Sequence, residues 1–164
     1  MITKHKPSIA KNAAAKTITV IKEIDAPITE VWKAWTTAEQ LDKWWGPKPW
    51  NAVTKSMDFR EGGAWVYKMA GPNGEAQWDK VIFTSINVLN SFTAQDLFID
   101  ENGKKSNEMP STNWKNSFVA TGDGTRIECV LTFESKEDMD KILQKGFEEG
   151  FSIGLDQLDD LLAQ

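Results

Sequence analysis

Apolar and polar residues alternate along Thr17-Ile-Thr-Val-Ile-Lys-Glu-Ile24, and most of them are β-branched. The segment therefore predicts a strand with one buried face. Asp25-Ala-Pro27 stops it. Pro27 suits a first helical position, and Ile28, Val31, Trp32 and Trp35 then recur at helical spacing. A second short helix starts at Thr37, with Leu41, Trp44 and Trp45 toward one side, and Gly46-Pro-Lys-Pro49 ends it. From about Trp50 to Phe133 the pattern is strand and turn. Trp65, Tyr67 and Met69 share one strand face, because strand side chains alternate. Gly71-Pro-Asn-Gly74 is a strong turn signal, and further strands are expected over 75–88, 91–99, 113–121 and 125–133.

Ser135-Lys-Glu-Asp138 resembles a capping box. After it, Met139, Ile142, Leu143, Phe147, Ile153 and Leu161 fall in one apolar stripe, which predicts a single helix from 136 to near 162. Residues 1–16 are rich in Lys, Ala and Asn without an apolar period, so they read as a flexible N-terminal tail in front of one domain, 17–164. The expected fold is α+β. One strand and two short helices are followed by a run of strands and one long helix. A sheet of about six or seven antiparallel strands with one apolar face needs a cover. One helix cannot fill a wide concavity alone, so the remaining volume is expected to be a cavity.

Composition sharpens this picture at one point. Eight tryptophans stand against one tyrosine in 164 residues, which fits either a heavily aromatic core or an aromatic-lined cavity. The mild acidity, 19 basic against 24 acidic residues, and the lack of a basic stripe argue against nucleic acid. No run of apolar residues is long enough for a membrane span. The start lacks an apolar signal region, so a cytoplasmic location is expected. One cysteine, Cys129, excludes an internal disulfide.

Candidate chemistry is sparse. The only histidine, His5, lies in the tail, so no Ser-His-Asp or Cys-His set is expected, and no catalytic residue is assigned. Metal-ligand clusters of His and Cys are absent, as are phosphate-binding glycine loops, so neither a metal nor a cofactor is expected. Asp58, Glu75 and Asp79 read as solvated carboxylates. Gln157 and Cys129 read as core residues, with a lone polar contact to a ligand as the alternative. Gly146, Gly150 and Gly154 recur every four residues in the expected helix. Each costs about 1 kcal/mol against Ala there, so they imply either close packing on the sheet or room for a guest. Trp44-Trp45-Gly46-Pro47 puts two rings before a forced reversal, as core anchors or as a pocket wall.

Several segments together resemble a known family. They are Pro27-Ile-Thr-Glu-Val-Trp-Lys-Ala-Trp35, Leu41-Asp-Lys-Trp-Trp-Gly-Pro47, Asp58-Phe-Arg-Glu-Gly-Gly63, Tyr67-Lys-Met-Ala-Gly-Pro-Asn-Gly74, Gly124-Thr-Arg126 and Gly146…Gly150…Leu155-Asp156…Leu158. Over about residues 17–163 the chain resembles the Hsp-ninety ATPase activator-like family of the START-like (SRPBCC) superfamily. It departs at Ala64, where a basic residue is common. The resemblance implies a helix-grip fold, a curved antiparallel sheet wrapped around a long C-terminal helix, with a hydrophobic cavity between them.

The expected function is non-enzymatic binding of a small apolar or amphipathic molecule. A protein-interaction or co-chaperone role comes second, and a START-like enzyme without a standard catalytic set third. Trp44, Trp45, Trp65, Tyr67, Met69, Trp78, Phe147 and Gly150 are expected around one pocket, of the roughly 300–1,000 Å³ typical of ligand sites. Trp44 and Trp45 are placed there by the resemblance and by the Gly-Pro turn. Trp78 is placed there because antiparallel pairing brings it near the Trp65–Met69 row.

Overall fold

The computed structural model describes residues 4–163. Its chain runs β1 (Ser8–Asn12), β2 (Thr17–Ile24), α1 (Ile28–Thr36), α2 (Ala38–Trp44), β3 (Asn51–Met57) and β4 (Ala64–Ala70). It continues with β5 (Ala76–Asn87), β6 (Ser91–Ile99), β7 (Thr112–Ala120), β8 (Thr125–Thr132), α3 (Lys136–Gln144) and α4 (Phe147–Leu162). The eight strands form one sheet in the order β1-β2-β8-β7-β6-β5-β4-β3, and every pairing is antiparallel. Bulges between Thr54 and Ser56 and between Phe83 and Ser85 add local bend. This is the helix-grip arrangement: a curved sheet with its apolar face closed by helices.

The inner face follows from strand parity. Ile18, Val20, Lys22 and Ile24 of β2 are buried and alternate with half-buried neighbours. Trp114, Asn116 and Phe118 of β7 lie opposite Leu131, Cys129 and Ile127 of β8 in the same core. Helix α1 seats Trp32 edge-on against Phe59, Phe92 and Phe118. Helix α4 buries Leu155 and Leu158.

Two expectations are corrected. The sheet has eight strands rather than six or seven, and the extra one lies in the segment read as a free tail. Residues Ser8–Asn12 pair with Ile21–Thr17 as an edge strand. The chain before β1 is pinned as well: Lys4 meets Asp156 and Asp160 of α4, and His5 Nε2 lies 2.9 Å from Asp25. The missed signal was not apolar periodicity, since of β1 only Ile9 joins the core. Backbone pairing and charge hold this segment. Residues 1–3 of the expected tail lie outside the described residues.

The long helix is likewise two helices. Gly146 has φ 89° and separates α3 from α4. That conformation is open to glycine and strained for other residues. Ser135 caps α3 as expected, accepting from the Asp138 amide at 3.1 Å.

Candidate functional site

Between the sheet and the helices lies a small aromatic cavity. Trp35 and Leu41 line it from α1 and α2, with Trp45 just past α2. Trp65, Val81, Phe83, Phe92, Ala94 and Trp114 line it from the sheet. Asp96 and Asn116 are its polar members. Its volume is about 30 Å³. That holds a water molecule but not an organic guest of ordinary size. The expected large pocket is therefore occupied by the protein's own rings.

Trp45 is the central ring. It packs against Trp35, Trp65, Trp114 and Phe151 at centroid distances of 5.9, 5.7, 6.0 and 5.9 Å. Its indole N–H donates to Tyr67 Oη at 2.9 Å. Tyr67, stacked on Trp65 at 4.1 Å, donates in turn to Asp79 Oδ2 at 3.3 Å. Asp79 is only 7% exposed. Asp96 is half-buried as a residue, yet its Oδ1 is fully enclosed. Oδ1 of Asp79, Asp96 and Asn116 all lack a donor.

The electrostatics follow from this enclosure. Burial pushes the Asp79 carboxyl well up, and the Asp96 charge beside it adds to the push. Burial also raises Asp96, while Asp79 and Trp114 partly offset it. Tyr67 is held well above its ordinary range, first by burial and then by the two carboxylates. Both carboxyls therefore keep their protons to higher pH than exposed carboxylates do, and their titration belongs to the pair rather than to either residue. Asp79 is thus not the solvated carboxylate expected, whereas Asp58 and Glu75 are exposed.

The expected pocket residues divide. Trp45, Trp65 and Tyr67 meet as described. Trp44 is fully buried beside them, its indole donating to Ala34 O at 2.8 Å, but it serves the core and not the cavity wall. Met69 packs at the edge of the core. Phe147 stacks on Phe151 at 5.3 Å and meets Trp114 edge-on, behind the cavity. Trp78 lies on the outer face, with the Lys55 and Lys68 ammonium groups 5.8 and 5.9 Å from its ring. Gly150 faces Pro47 Cγ, which an added Cβ would meet at 3.7 Å, so it neither borders the cavity nor packs on the sheet.

The length of the hairpin turn sets the facing of this row, since Gly71 N donates to Glu75 O, one residue beyond Gly74. Closed symmetrically on Asn73, it pairs Tyr67 with Asp79 and Lys68 with Trp78. Directly opposed residues share a face, so Asp79 turns inward with Tyr67 while Trp78 turns outward with Lys68. Asp96 and Asn116 share the parity of buried neighbours, Phe92 and Ala94 on β6 and Trp114 and Phe118 on β7, but a polar side chain gives no apolar signal of its own burial. Gln157 clamps the α2 exit. Its Nε2 donates to Trp44 O and Gly46 O, and its Oε1 accepts from Lys48 N. Cys129 is buried, and burial raises its thiol far above the ordinary range. Among the described residues no group of His, Cys, Asp and Glu is placed to hold a metal ion. No helix among them is long and apolar enough to cross a membrane.

Residues 25–163 match the family described as Activator of Hsp90 ATPase homolog 1-like protein. The chain belongs to this family. Among solved Activator of Hsp90 ATPase homolog 1-like and related structures, protein Ms6760 from Mycobacterium smegmatis is 31% identical with a TM-score of 0.88. That match covers 99% of this chain and 97% of the other. A protein from Arthrobacter aurescens, solved by NMR, is 33% identical with a TM-score of 0.90, covering 95% and 91%. The AHSA1 protein from Silicibacter pomeroyi shares the fold at 16% identity, with a TM-score of 0.71 over 90% of this chain and 97% of that one. No curated protein matches the sequence significantly. The family and fold mark the chain as a module of the ligand-binding or co-chaperone type.

Proposed function

We propose that the protein binds a small amphipathic molecule in the aromatic cavity, without acting on it. One observation supports this most: enclosed carboxyl and amide oxygens stand without donors in a site walled by indoles. An unpaired buried polar atom costs about 1–3 kcal/mol. A cavity built only for packing would have apolar residues there. A guest with an apolar body and a polar end would use both parts of the lining.

Entry requires a ring to move, and Trp45 is placed to do so. It is half-buried, follows the last turn of α2, and precedes Gly46-Pro47. Outside the cavity its N–H would bond water instead of Tyr67. The test is titration of the folded protein with the neutral apolar fluorophore N-phenyl-1-naphthylamine, read by quenching of tryptophan emission. Saturable quenching is expected, and Trp45→Ala, which opens the wall, should bind the probe more tightly. Absence of saturable binding by the folded parent overturns the proposal whatever the variant does.

The co-chaperone reading draws on the family description. It would call for apolar surface gathered on the outside. The large apolar side chains most exposed among the described residues are Val53, Val88, Val119 and Ile153, on β3, the β5–β6 turn, β7 and α4. That scatter favours the cavity.

A further inference from the structure

The chemistry of the lining narrows the guest. Asp96 and Asn116 are the polar members of the cavity wall, and Asp79 stands behind Asp96. The enclosed atom left open on each is an oxygen. Asn116 is 3% exposed and Asp79 7%, so bulk water does not serve them. No Lys, Arg or His lines the cavity. Lys22, on the inner face, is bound to Asp159 at 2.7 Å, and Lys55 and Lys68 stand over Trp78 on the outer face. The remaining wall includes four indoles, Trp35, Trp45, Trp65 and Trp114. Indole faces attract cations.

Building on the binding function proposed above, we infer that the guest carries an organic ammonium group, seated at the Asp79–Asp96 pair with its carbon body among the tryptophans. An ammonium brings three donors and no acceptor, which complements a lining of acceptors. An anionic guest, such as a fatty acid, would meet like charge. A hydrocarbon guest would leave the oxygens unpaired. Trp35 Nε1, the one orphaned buried donor among the described residues, would be satisfied by an oxygen on the guest's body. Entry of the cation favours the ionised pair, so a proton held by these carboxyls leaves to solvent. The titratable groups facing this point are Tyr67 from β4, Asp79 from β5 and Asp96 from β6; the β7 side chains beside it, Thr112 opposite Asp96 and Trp114 opposite Ala94, do not titrate.

The test compares 2-phenylethylamine with 2-phenylethanol, which differ little in size, by calorimetry and tryptophan quenching at neutral pH. The ammonium should bind roughly tenfold or more tightly, as expected for charge-assisted hydrogen bonds in a buried site. Its binding heat should vary with the ionisation heat of the buffer, reporting proton release. Asp96→Asn should abolish the preference of amine over alcohol, and Asp79→Asn serves if that variant does not fold. Equal binding of amine and alcohol by the parent overturns the cation inference and leaves cavity binding standing. So does a preference that survives both substitutions. Failure of both compounds and of N-phenyl-1-naphthylamine to bind overturns both.

Discussion

At the scale of the residue, Asp79 and Asp96 define the interior more than any tryptophan does. Their pH dependence has a definite sign. Unfolded, each titrates near the ordinary carboxylate value of about 3.9; folded, both are raised by burial, Asp79 also by Asp96. Above that value and up to the raised one, the folded state holds more protons than the unfolded state. Stability is therefore highest at the acid end of this window and falls as pH rises through it. Asp96→Asn removes one of the two charges, so its urea midpoint should match the parent's near pH 4 and exceed it at neutral pH and above. A parent profile parallel to the variant's across that range would contradict the geometry. These residues were legible only in part. Counting back from Gly71–Gly74 sets Trp78 against Tyr67, but the turn closes from Gly71 to Glu75, one residue longer, and that pairs Tyr67 with Asp79 and moves Trp78 outward. Asp96 shares the inward parity of Phe92 and Ala94, but a carboxylate there gave no apolar reason to place it inside.

At the scale of the element, the three glycines spaced by four sit in three different environments. Gly146 supplies a positive φ at the α3–α4 junction. Gly154 lies where an added Cβ would come within 3.4 and 3.5 Å of the Trp44 and Trp45 carbonyl oxygens. Gly150 has ordinary room against Pro47. Gly150→Ala should therefore stabilise the protein by about 0.5–1 kcal/mol through helix propensity. Gly146→Ala should destabilise it by about 1–2 kcal/mol through the left-handed backbone. Denaturant unfolding of the two variants checks the opposite signs. The four-residue spacing was visible in the sequence and suggested one continuous stripe. Spacing cannot reveal φ, so the break at Gly146 was not visible, whereas the Ser135 start was, because capping is local chemistry.

At the scale of the whole molecule, the order of strands and helices after Thr17 was readable because each element buries one face at its own period. The first strand was not, because it is held by backbone pairing and by charges distant in sequence. Those charges centre on a buried ion pair. Lys22 and Asp159 are 2% and 1% exposed, 2.7 Å apart, and the His5 carbonyl accepts a further bond from Lys22. Burial raises the Asp159 carboxyl, and the Lys22 ammonium draws it back. Deleting residues 1–12 removes β1 and one partner of Lys22, so the melting temperature should fall by about 5–10 °C. Lys22→Met should cost about 3–5 kcal/mol by leaving Asp159 unpaired, and the added change Asp159→Leu should recover most of that. Equal stability of the truncated and full chains would show β1 to be a passive edge.

The contacts of Lys4 with Asp156 and Asp160 bring the two ends of the described chain side by side, on opposite sides of the same ion-pair cluster. Residues 4–163 therefore form a closed circuit with a gap of one salt bridge. A short flexible peptide across that gap would join the ends, and the exposed turn at Gly122-Asp123 offers a place to open the chain elsewhere. The order in which the ribosome delivers the strands is then separable from the architecture they reach, and the aromatic cavity, whose residues all lie between Trp35 and Asn116, would travel through such a rearrangement on one uninterrupted segment.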